Sequence, residues 1–83
     1  MSLGEDLQKK LRKSFAPATV VHFRYRNYDM AVETDDAGNA TRLFMGTKQE
    51  NGRIRGERYA RVLVKNEAGE VVKDHWDKKG KCY

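Results

Sequence analysis

The sequence predicts an α+β fold, an N-terminal helix packed on an antiparallel meander of about five strands that forms a curved sheet or small barrel. Three observations carry this. Leu3, Leu7, Leu11 and Phe15 recur every four residues ahead of Pro17. Beyond Pro17 apolar residues alternate with polar ones, as in Val21, Phe23, Tyr25 and again in Thr41, Leu43, Met45. The alternating runs are separated by short turns, so every connection is of hairpin length.

The recurrence places one narrow apolar stripe on a helix over about residues 3–15. Ser2 is positioned as an N-cap, with Glu5 three residues on completing a capping box. Glu5 and Asp6 come early and Lys9, Lys10, Arg12 and Lys13 late, the order the helix dipole favours. Pro17 drives Ala16 out of the helical region and ends the element. A stripe this narrow calls for one flat partner, a sheet face.

Thr19 to Arg26 puts Val21, Phe23 and Tyr25 on one face and His22, Arg24 and Arg26 on the other. The pattern then slips to Tyr28, Met30 and Val32, so the chain must bulge or turn near Asn27. Asp35–Asn39 is a turn with Gly38 at positive φ. A two-residue Ala37-Gly38 loop opposes Val32 to Leu43 and Met30 to Met45, whereas a three-residue loop with a glycine bulge shifts that register by one. Asn51-Gly52 is the strongest hairpin signal in the chain, expected to pair Glu50 with Arg53 and Lys48 with Arg55. The returning strand runs to Lys65, with a bulge or bend at Gly56. Asn66–Glu70 turns again and Val71–Trp76 forms the last strand. The meander thus covers about 19–76, and 77–83 is expected to be a frayed tail. A faint internal echo sets Ala37-Gly38 against Ala68-Gly69, which two hairpins of shared turn chemistry account for.

At 83 residues there is room for one small domain. With 39% hydrophobic and 35% charged residues, the chain is too apolar for a disordered segment and carries a densely charged surface. Its net charge of +5 suits an anionic partner. The excess sits in residues 1–17 and in 49–66, where Arg53, Arg55, Arg58, Arg61 and Lys65 outnumber Glu50 and Glu57. Cys82 is the sole cysteine, so no internal disulfide forms and packing alone must hold the fold. The N-terminus has no signal-peptide core, and no run of residues approaches a membrane span. A cytoplasmic protein is expected, unless the chain is a trimmed piece of a secreted parent.

Little of this composition points to catalysis. His22, His75 and Cys82 are too scattered for a metal site. No nucleophile elbow, Cys–His arrangement or phosphate-cradling glycine loop occurs, and the acidic pairs fall on turns. The expectation is a non-enzymatic domain with no catalytic residues, cofactor, metal or small-molecule substrate, and no membrane contact.

The one suggestive constellation is the basic, ring-bearing stretch HFRYRNY at 22–28, together with RGERYARVLV at 55–64. Single-stranded nucleic acids are held by rings that stack bases and cations that follow phosphates. Strand alternation separates the two roles here, turning Phe23 and Tyr25 inward and leaving His22, Arg24 and Arg26 as an outward basic row. Arg53, Arg55, Arg58 and Arg61 are the second set of candidate contacts to an anionic partner, with Tyr59 the candidate stacking ring. Such a row is also what a solvated antiparallel face looks like. Met30, Phe44, Met45 and Trp76 are candidates for an exposed apolar patch. Two functions follow: a protein-interaction or accessory domain, a homodimer included, or an electrostatic nucleic-acid-binding module. Residues 19–28 contain no acid, which favours nucleic acid, and residues 49–58 contain two, which does not.

Overall fold

Leu7 and Leu11 are buried one turn apart on a single helix, α1, Glu5–Arg12, in the computed structural model, which describes residues 3–82. The helix is shorter than the expected 3–15. Gly4 occupies the N-cap without a side-chain cap, and Ser2 lies outside the described residues. At the other end Lys13 is already extended, well ahead of Pro17. A tertiary contact explains the early stop: the Phe15 N–H donates to Gly38 O at 2.9 Å and cannot also serve a helical carbonyl.

Five strands follow: β1 Val20–Tyr25, β2 Tyr28–Thr34, β3 Ala40–Lys48, β4 Ile54–Lys65 and β5 Val71–Cys82. They form one antiparallel sheet in sequence order, curved but not closed, so β1 and β5 are its edges. The predicted α+β fold is found as a curved sheet with one short helix on it. The slip in alternation at Asn27 is a two-residue hairpin turn, with Arg26 at φ 56° and Tyr25 closing against Tyr28.

The other three reversals share one device. Asp35, Gln49 and Asn66 each donate their N–H to the carbonyl four residues on and accept the N–H of the glycine at the third position. Those glycines, Gly38, Gly52 and Gly69, have φ of 83° to 85°. Asp35 and Asn66 also accept two backbone N–H groups through their side chains, so the internal echo is shared turn chemistry.

This device sets the registers. Val32 opposes Leu43 and Met30 opposes Met45 as a two-residue loop would have it, yet the turn is longer. A bulge beside Thr34, which pairs with Ala40, restores the alignment. At Asn51-Gly52 the expected pairing is off by one: Gln49 bonds Arg53, Lys48 opposes Ile54 and Thr47 opposes Arg55. Gly56 therefore opposes Gly46, and no bulge occurs there. A Cβ on either glycine would overlap a facing backbone carbonyl, that of Arg55 or of Met45. Just past the pair Ile54 is 5% exposed, and it shares a 170 Å³ cleft with His22, Arg24 and Asp29, so this corner curls over the sheet.

The last strand does not stop at Trp76. Residues Gly56–Arg58 of β4 need a partner, and β5 supplies it by pairing Gly80, Lys81 and Cys82 after a bulge at Lys79. Residues 77–82 are strand where 77–83 was expected to be a frayed tail, and Tyr83 lies outside the described residues.

Leu3, Leu7 and Leu11 pack on Met30, Val32, Ala40, Leu43, Tyr59 and Trp76, with Phe15, Phe23, Tyr25 and Met45 around them. Full burial of Leu11, Met30, Leu43 and Val32 contributes about 1.5–3 kcal/mol each. Met30 and Trp76 thus belong to the core, Met45 packs against it, and only Phe44 of the expected apolar patch faces the other side.

Ladder pairing between β3 and β4 ends at Arg42–Ala60. Beyond it β4 and β5 continue as a two-stranded arm, giving an elongated molecule of 44 × 27 × 20 Å. Val64, Val71 and Val72 on this arm are exposed. Among the described residues, no helix is long and apolar enough to cross a membrane.

Candidate interaction surface

The face of the sheet away from α1 carries the outward residues of every strand. Cross-strand neighbours form rows: Val20–Glu33–Arg42–Ala60, then His22–Ala31–Phe44–Arg58, then Arg24–Asp29–Gly46–Gly56. His22, Arg24 and Arg58 therefore share one face, with two strands between β1 and β4. Alternation read within β1 was enough to turn His22 and Arg24 outward. It was silent on β2, which contributes Asp29 and Glu33 to the same face. Arg24 lies 3.7 Å from Asp29 and Arg42 lies 3.7 Å from Glu33, so the row is a mixed-charge surface.

The remaining candidates disperse. Arg26 is not in the row: it sits in the β1–β2 turn, 5.4 Å over the Tyr25 ring and 3.9 Å from Asp6. Arg53 is exposed in the β3–β4 turn. Arg55 pairs with Thr47 and has the alternation of Tyr59, the helix side, as the one-residue register change requires. Arg61 is not a free contact. Its side chain is 7% exposed, bonded in two places to Asp74 at 2.7 Å and to Ala40 O at 3.2 Å. Asp74 is held below the ordinary carboxylate range by these Arg61 hydrogen bonds, against the opposing effect of its burial. Tyr59 is 3% exposed in the core and has no face to offer a base, because pairing with Leu43 turns it toward the helix.

Two features escaped the sequence reading. Arg42 and Lys79 join Arg58 around a 250 Å³ cleft on the outer face. Lys79 reaches it because the β5 bulge displaces it, and the Arg58 guanidinium donates to Lys79 O at 3.4 Å.

The second feature is the β1 edge. Thr34 N–H donates to Thr19 O and Thr19 N–H to Thr34 Oγ1, both at 2.9 Å. From that pair the ladder alternates, so Val21, Phe23 and Tyr25 turn their backbone groups toward β2. The N–H and C=O groups of Val20, His22 and Arg24 then face outward from the sheet. Beside this edge, under the end of α1, lies a 460 Å³ groove lined by Lys10, Lys13, Phe15, Val21, Phe23 and Arg24. The Lys13 ammonium sits 5.7 Å over the Phe15 ring. Among the described residues neither Lys10 nor Lys13 has an acidic partner.

The opposite edge differs. β5 carries Lys73, Lys78, Lys79 and Lys81 and two register breaks, the usual means of blocking strand addition. β1 has four apolar residues in six and no bulge. The sequence left its edge position open because a meander that closes into a barrel has no edges. Among the described residues, no three His, Cys, Asp or Glu side chains gather as a metal site would need.

Comparison with known proteins finds no similarity: no family model, curated protein or solved structure matches the chain.

Proposed function

We propose that this chain is a non-enzymatic protein-interaction domain that docks its partner along β1. One observation carries the reading, a regular and largely apolar sheet edge left unblocked while the other edge is bulged and lysine-rich. Open edges of this kind invite another strand and are normally protected unless they are used. A cytoplasmic setting belongs to the same proposal, since the sole cysteine leaves the fold without a disulfide. A photo-crosslinking amino acid at position 22, compared with one at position 73 on the opposite edge, tests it in cells. Partner crosslinks should form from position 22 and not from position 73. Equal crosslinking from both, or none from position 22, overturns the reading.

The second reading, nucleic-acid binding, is supported by the cleft shared by Arg42, Arg58 and Lys79 in a face that also carries Phe44. The acids Asp29 and Glu33 on that face weigh against it. Anisotropy of labelled single-stranded RNA and DNA at rising salt tests it. Phosphate contacts give an affinity falling by roughly one unit of log–log slope each, and removing Arg58 should lower the slope.

A further inference from the structure

We infer that the β1 edge takes an acidic, extended segment of a partner protein, added as a sixth strand over the groove beside α1. The inference rests on β1 being the docking edge and adds the chemistry of what docks there.

Backbone geometry sets the mode. Val20, His22 and Arg24 present N–H and C=O groups outward at two-residue spacing, which only another extended backbone satisfies in series. Side-chain direction sets the pattern. Residues of the added strand that lie opposite Val21 and Phe23 share their face and enter the groove, where a glutamate lays its methylenes on Phe15 and turns its carboxylate to Lys10 and Lys13. Alternate residues fall on the outer face beside His22 and Arg24.

Charge selects the occupant. Lys10 and Lys13 stand over the groove without acidic partners among the described residues, and Arg24 closes its rim. The acid one turn earlier on the same helix flank, Asp6, is already engaged with Arg26. Carboxylates entering the groove meet Lys10 and Lys13, while Arg24 at the rim is already shared with Asp29. A second copy of this chain brings the wrong charges: antiparallel pairing of two β1 strands sets both copies' Lys10 and Lys13 around one shared groove. A nucleic acid has no backbone amides to extend the ladder.

The test uses the unmodified protein and a short fluorescein-labelled peptide alternating valine with glutamate. Its comparators are the same peptide with lysine for glutamate, and the acidic peptide with alternate amides N-methylated. The acidic peptide should bind about tenfold more tightly than either comparator. Lys10→Glu together with Lys13→Glu should reverse the preference for acid over lysine. His22→Pro should abolish binding while the fold survives by circular dichroism, because the His22 N–H is not used within the sheet. Equal affinity for the lysine peptide, or no effect of N-methylation, overturns the proposal. So does displacement by single-stranded DNA of equal charge as effective as by unlabelled peptide, or a dimer by light scattering that His22→Pro dissolves. If no acidic peptide binds while crosslinks still form from position 22, the acidic chemistry falls and edge docking stands. If both fail, both fall.

Discussion

Arg61 grips Asp74 with two parallel hydrogen bonds, Nε to Oδ1 and Nη2 to Oδ2, each 2.7 Å long, where the β4–β5 arm leaves the body of the sheet. The third arm of the guanidinium holds Ala40 O, so one side chain ties β5 to the start of β3 across β4.

Removing the acid should therefore hurt more than removing a surface charge. Asp74→Ala strands a guanidinium that is 7% exposed, and a loss of about 2–3 kcal/mol in chemical denaturation is expected. Arg61 lowers the Asp74 pKa in the folded state, so the contribution is complete above the unfolded carboxylate range and lost as pH falls through the folded value. Wild-type melting temperature should drop below about pH 4, with a shallower drop in Asp74→Asn.

Gly46 and Gly56 face one another with no room for a side chain on either. Gly46→Ala and Gly56→Ala should each cost about 1–3 kcal/mol, since backbone rather than a flexible side chain must yield. The melting temperature should fall accordingly, by about 4–8 °C per kcal/mol at this chain length.

The three equivalent turn glycines should not respond alike. Gly69→Ala meets open space and should lose about 1–2 kcal/mol for the left-handed backbone alone. Gly38→Ala adds an overlap with Phe15 O, the residue that ends the helix, and should lose clearly more. Equal losses in urea titrations would mean that the Phe15 contact is not made in solution.

Leu11 is the most deeply placed helix residue. Leu11→Ala should remove about 2–5 kcal/mol, against about 4–12 kcal/mol for a whole domain of this size. Lys9→Ala, on the exposed flank, should stay within about 0.5 kcal/mol.

The parts of this fold that local pattern controls were legible in advance. The Leu3–Leu7–Leu11 stripe, the inward set Val21, Phe23, Tyr25 and the turn at Gly38 depend on neighbours within a few residues. What was missed depends on partners distant in sequence. The helix stops early because Gly38 holds Phe15, and residues 77–82 form strand because β4 is long enough to pair with them. At the candidate surface, alternation placed His22 and Arg24 correctly. It also sent Tyr59 and Arg61 into the interior, but only once the one-residue register change at the Asn51-Gly52 hairpin was known. Asp29 and Glu33 lie outside the acid-free stretch 19–28, and that they face Arg24 and Arg42 across neighbouring strands is a property of register.

The unsupported length of β4 and β5 makes this small chain kinetically divided. A lone two-stranded ribbon has little stability in water, so amides from Val64 to Lys73, beyond the Arg61–Asp74 anchor, should exchange through openings that leave the rest intact. Trp76, buried at the ribbon's root, would report fluorescence from the surviving body. Backbone signals would include the part that has already opened, so the two spectroscopies should disagree about when the molecule melts.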